Sequence, residues 1–160
     1  MIAARISAQQ VMLVASGQDP VQESLYSSWP LAQAESVHPI HRGRLMSTAG
    51  AVSMTLDAAV EAAGVARVDF IKLDVDGYEL SVLKGGLDLI RRDQPKIMLE
   101  LAPYTHYGPE DQFSELLKFL RSNRYVLRDP ATGAPFPEDP DALLARIPRK
   151  GSINVLASCK

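Results

Sequence analysis

The stretch from Val68 to Leu101 constrains this chain more than any other. An apolar run, VDFIKLDV (Val68–Val75), is broken by Gly77 and followed by an amphipathic stripe and a second apolar run, KIMLEL (Lys96–Leu101). The first run is rich in β-formers and nearly continuous in apolar residues, the pattern of a strand covered on both faces of a parallel sheet. From Tyr78 the period changes: Leu80, Leu83, Leu87 and Ile90 fall on one helical face, and Arg91 and Arg92 suit the last turn. Pro95 resets the chain before the second strand. Strand, helix and strand in this order predict two adjacent parallel strands joined by a crossover.

The rest of the chain extends this alternation. Val11 to Ala15 (VMLVA) reads as a short strand closed by the breaker Ser16-Gly17-Gln18-Asp19-Pro20. Residues Val21 to Gly50 show no period and are expected to form loop or short hairpin strands. Val52 to Leu56 suits a strand, with Asp57 as N-cap of a helix over Ala58–Ala63 that Gly64 stops. Pro109 with Glu110 and Asp111 opens a helix whose apolar face is Phe113, Leu116, Leu117 and Leu120. Tyr125–Leu127 follows as a strand. Pro130–Pro140 is loop, Asp139-Pro140 starts a short helix over Ala142–Ile147, and Ile153–Ala157 closes as a strand. The order predicts one layered α/β domain.

Composition excludes several classes. The 160 residues are 46% hydrophobic and 22% charged with net charge −2, so nothing provides an electrostatic footprint for nucleic acid or an anionic membrane. No apolar run reaches the roughly 18 residues of a spanning helix. The lone cysteine, Cys159, can form neither an internal disulfide nor a thiolate cluster, which points to a reducing, cytoplasmic setting.

Sheets of this class place ligands outside the carboxyl ends of their strands. Asp74 and Asp76 lie where VDFIKLDV runs out, Glu79 follows one turn later, and Glu100 holds the equivalent place on the next strand. Such carboxylates can take a proton from a substrate hydroxyl or hold a hard cation; aspartates here can equally shape the turn and cap the helix. No metal is assigned. His106, beside Tyr104 and Tyr107 after the second strand, offers a base that titrates near neutrality or a plain loop histidine. The segment SVHPIHRGR, with His38, His41, Arg42 and Arg44, suits either a phosphate or acidic acceptor or a solvated loop. Lys72, inside the strand, either snorkels to an edge or pairs with a carboxylate.

VDFIKLDVDGYELSVLKGG (Val68–Gly86) resembles the signature of the FkbM methyltransferases, as do MTLDAAV before it and QPKIMLELAPY after it. The resemblance runs from Ser53 to the end. It implies a class I, Rossmann-like methyltransferase sheet of which this chain carries strands three to seven, the last antiparallel. VMLVAS would be the third strand, VDFIKLDV the fourth, KIMLEL the fifth, YVLRD the sixth and INVLA the seventh. Residues 1–50 would hold the third strand and a variable insertion, and residues 51–160 the FkbM-like core. The implied activity is transfer of a methyl group from S-adenosylmethionine to an acceptor oxygen, often on a sugar or secondary metabolite. Asp74, Asp76, Glu79, Glu100 and His106 would be catalytic, and Ala15, Ser16, Asp19 and Asp74 would touch the cofactor.

Such folds grip the cofactor with a Gly-rich turn after the first strand and an acid ending the second. No Gly-x-Gly or Asp-x-Gly precedes Val11. The expectation is a partial domain that binds the cofactor weakly alone, or a non-catalytic binding or assembly module that pairs with another copy through an exposed sheet edge. The Asp-x-Asp-Gly strand end is also similar to that of haloacid-dehalogenase-like phosphatases. There a threonine usually follows the glycine, whereas Tyr78 stands here, and no acidic pair directly follows the strand that ends at Leu127.

Overall fold

Thr55, not Asp57, starts the first helix. The computed structural model describes residues 11–13, 24–27, 44–47, 52–75, 77–103 and 112–160. In it the Thr55 hydroxyl accepts from the Ala58 N–H at 3.1 Å, capping α1 (Leu56–Ala62). Gly64, at φ +64°, ends the helix as expected. Asp57 is thereby released for a longer-range task. Its carboxylate accepts from the backbone N–H groups of Asp88 (3.2 Å) and Leu89 (2.9 Å), and its own N–H donates to the Gly85 carbonyl (3.0 Å).

Those contacts explain a second difference from the expected pattern. The stripe from Leu80 to Ile90 is two helices, α2 (Glu79–Lys84) and α3 (Leu87–Asp93), separated at Gly85-Gly86. Glycine is the costliest ordinary residue inside a helix. Here it also admits a neighbour: a Cβ on Gly86 would stand 2.6 Å from the Leu56 Cδ2 and 3.1 Å from its Cβ. α3 has no cap from its own N-cap residue, and Asp57 provides one from 31 positions upstream. Asp57→Ala is therefore expected to lower stability by about 1 kcal/mol, and Asp57→Asn by less, in urea unfolding. Equal losses for the two variants would show that the cap is not what Asp57 contributes.

The main sheet has four strands in the order β5 (Phe70–Leu73), β6 (Lys96–Leu101), β8 (Ile153–Cys159), β7 (Tyr125–Arg128). β5 and β6 run parallel with Leu73 opposite Leu99, joined by α2 and α3 as the strand–helix–strand pattern predicts. β8 lies between β6 and β7 and is antiparallel to both. The last strand is thus reversed, as expected, and it reaches Cys159, two residues beyond its predicted end.

The pairing sorts side chains by face. Ile71, Leu73, Ile97, Leu99, Leu101, Val155, Ala157 and Tyr125 join Leu80, Val82, Leu83, Leu89 and Ile90 of α2 and α3 in one core. α4 (Gln112–Ser122) adds Phe113, Leu116, Leu117 and Leu120, the face read from the sequence. Its expected opening at residues 109–111 lies outside the described residues. The short helix α5 (Pro140–Leu144) is capped by Asp139, which accepts from the Ala142 N–H at 2.9 Å. It starts two residues earlier and ends three earlier than expected, and only Leu143 is buried in it.

One expectation fails here. The apolar run Val68–Val75 predicts a strand covered on both faces, but β5 is four residues long and Phe70 is 52% exposed. β5 is one of the two edge strands of this sheet among the described residues, and the helix residues of the core gather over its other face. Continuous apolarity records composition and cannot say which face is covered.

Before Thr55, β1 (Val11–Leu13) pairs in parallel with β4 (Val52–Met54), and β2 (Ser24–Ser27) pairs antiparallel with β3 (Arg44–Ser47). The strand read over 11–15 and the short hairpin strands within 21–50 therefore exist. β1–β4 is a two-stranded sheet rather than an extension of the four-stranded one. No helix among the described residues is long and apolar enough to cross a membrane.

Candidate functional site

Asp74 is the first residue beyond β5, and the parallel register that sets Leu73 opposite Leu99 brings it beside position 100 of β6. Its side chain is 48% exposed and accepts from the Lys72 Nζ at 2.9 Å. This settles the choice left open for Lys72, which pairs with a carboxylate. Both partners are well exposed, so the pair adds little stability.

The chain then turns. The Tyr78 N–H donates to the Val75 carbonyl at 3.2 Å, and Gly77 sits at φ +100°, a region that side chains other than glycine's rarely enter. Glu79, the first residue of α2, is almost wholly buried. Its Oε1 accepts from the N–H of Val75 at 3.2 Å and of Gly77 at 3.4 Å. A buried carboxylate needs such donors, because burial without them is costly.

Glu100, the penultimate residue of β6, is half-buried and sits opposite Asn154 of β8. Its Oε1 accepts from the Ser152 hydroxyl, a partner just before β8 that the sequence reading did not pick out. Only the antiparallel register of the last strand brings Ser152 there, 52 positions away, and no local pattern signals it.

Of the proposed site residues, the structure therefore gathers Asp74, Glu79 and Glu100 at the carboxyl ends of two neighbouring parallel strands. It gives them different surroundings: Asp74 faces solvent, Glu79 faces the turn's own backbone, and Glu100 leans on the last strand. Asp76, His106, Ala15, Ser16 and Asp19 lie outside the described residues, as do His38, His41 and Arg42. Among the described residues, no group of three or more His, Cys, Asp or Glu could hold a metal ion.

Two parallel strands, a helical crossover, a reversed last strand and carboxylates at the strand ends define an α/β domain of the kind that holds ligands at that edge. The chain belongs to the family of the methyltransferase FkbM domain, whose model matches residues 8–127. The matched span contains Asp74, Glu79 and Glu100, begins well before Ser53, and ends inside β7, short of the reversed strand β8. No curated protein and no solved structure matches the chain.

Proposed function

We propose that this domain transfers a methyl group from S-adenosylmethionine to a hydroxyl oxygen of a sugar or secondary metabolite, with Asp74 as the group that accepts the hydroxyl proton. The observation that carries the assignment of Asp74 is its exposed carboxylate at the end of β5, beside β6, within the span that matches the FkbM family. The four-stranded order corresponds to strands four, five, seven and six of a class I methyltransferase sheet.

S-adenosylmethionine is cationic at sulfur and at its amino group, and an acceptor-only carboxylate in water suits such a neighbour. Asp74 is the described residue that fits, and Ala15, Ser16 and Asp19 are the further positions assigned to the cofactor. When bound, the cofactor supplies an already activated methyl group. What falls to this chain is to hold the acceptor hydroxyl in line and to take its proton, and orientation provides much of such an acceleration. Asp76, Glu100 and His106 are the further candidates for the proton.

Incubation with methyl-labelled S-adenosylmethionine and a panel of hydroxylated sugars and metabolites tests the assignment. Label should enter an acceptor with a free hydroxyl and not the same compound already O-methylated. Asp74→Asn should lower transfer by roughly 100-fold, the scale of a lost general base. Wild-type transfer by Asp74→Asn would remove Asp74 from the mechanism.

One observation favours a second reading. β5 is an edge strand of its sheet among the described residues and carries Phe70 at 52% exposure. An exposed strand edge invites pairing, and the domain would then act as an assembly module, joining a second copy along β5. Phe70→Asp should shift a dimer to monomer in light scattering; a wild-type chain that is monomeric at high concentration excludes this.

A further inference from the structure

The geometry points to Glu79 as a positioning residue that holds the backbone carrying Asp74 at the end of β5 and does not itself take a proton. The inference rests on the proposed role of Asp74 and deepens it. Both N–H groups that Glu79 holds belong to particular peptides. The Val75 N–H is part of the peptide that follows Asp74, and the Gly77 N–H is part of the peptide that follows Asp76. A peptide is planar, so holding its N–H holds the ψ angle of the residue before it. One buried oxygen thus restrains the backbone immediately after Asp74 and again at Gly77.

The bond from the Tyr78 N–H to the Val75 carbonyl closes the turn without engaging either peptide N–H. Gly77, at φ +100°, permits the bend but imposes no single conformation. Glu79 is anchored in turn: it begins α2, whose Leu80, Val82 and Leu83 are buried in the core. The order of command runs from the core, through α2 and the Glu79 carboxylate, to the strand end where Asp74 meets solvent. A carboxylate 3% exposed and spent on backbone donors is poorly placed to exchange protons with an acceptor.

Three variants test this: Glu79→Gln keeps one acceptor oxygen without the charge, Glu79→Asp withdraws the oxygen by one methylene, and Glu79→Ala removes it. Two readouts are followed, amide hydrogen exchange at Val75 and Gly77, and methyl transfer from labelled cofactor at saturating concentration. Glu79→Ala and Glu79→Asp should speed exchange at those two amides by roughly tenfold while Leu99 and Leu116 exchange as before. Both should lose transfer by a similar factor, and Glu79→Gln should restore both readouts. Unchanged exchange at Val75 and Gly77 in Glu79→Asp overturns the proposal. So does Glu79→Gln that exchanges like wild type but transfers no methyl, because the charge itself would then be in use. Faster exchange with undiminished transfer also overturns it. If the wild-type chain transfers no methyl to any acceptor, the proposed activity fails, and the exchange arm still decides whether Glu79 holds the turn.

Discussion

Replacing Leu99 with alanine is expected to destabilise the domain by about 3–5 kcal/mol, the upper range for a leucine removed from a tight core. Leu99 is fully buried at the centre of β6, the strand that the parallel partner β5 and the reversed strand β8 both share. Its register partners are Leu73 on one side and Val155 on the other, and both are buried in the same core. Flanked on both sides within the sheet, the cavity has little to collapse into. Leu144 is the control, since it is 37% exposed on α5 while its neighbour Leu143 is fully buried. Leu144→Ala should fall within about 0.5 kcal/mol of wild type. Urea unfolding measures both. A fall in the midpoint for Leu99→Ala at an unchanged slope is the expected result, and comparable losses for the two variants would mean that the core is not where the fold places it.

That contrast marks how far the sequence was legible. Short apolar runs located β6 and β8, and the 3.6-residue repeat located α4, because in those elements burial follows the local pattern. Phe113, Leu116, Leu117 and Leu120 all face inward as their spacing requires. The same logic joined α2 and α3 into one helix, since Leu80, Leu83, Leu87 and Ile90 do keep helical spacing across the break. What divides them is Leu56 packed on Gly86 and Asp57 capping from a distant helix, and no window of neighbouring residues contains that information. Phe70 fails for the same reason: apolarity announces a strand, and the surrounding layers decide which face is covered.

The candidate site divides in the same way. Strand ends rich in carboxylate drew attention to Asp74, Glu79 and Glu100, and the structure does bring them to neighbouring strand ends. Their spacing could not separate their tasks. Glu79 differs from Asp74 because α2 carries it under the turn, and Glu100 differs because β8 delivers Ser152 to it. These distinctions come from tertiary burial and from the register of a strand more than fifty residues on.

The stability of the domain should fall between about pH 4 and pH 2 through Asp93, and Asp93→Asn should lack that part of the fall. Asp93 ends α3, and its side chain is only 6% exposed. Arg92 donates Nε to Oδ1 and Nη2 to Oδ2, each at 2.7 Å, and the Val68 N–H donates to Oδ2 at 2.9 Å. The last bond ties the end of α3 to the segment entering β5. Chiefly through the Arg92 hydrogen bonds, and against the opposing effect of burial, the carboxyl is held down from 3.8 to about 2. A group whose pKa is depressed by folding stabilises the native state when ionised. That contribution is complete above the unfolded value of 3.8 and is lost as pH falls through the folded value near 2. Arg92 is more than half exposed, so solvent screens the pair, and the share is about 1–2 kcal/mol. Asp93→Asn keeps an acceptor for Val68 and loses the charge; Asp93→Ala loses both and should cost about 2–3 kcal/mol at neutral pH. Urea unfolding of wild type and Asp93→Asn at pH 7, 4 and 2 makes the test, with every other carboxylate common to both proteins. The gap between them should be widest at pH 7 and lose most of its width by pH 2; a gap that stays constant would show that Asp93 acts in the fold as a neutral acceptor.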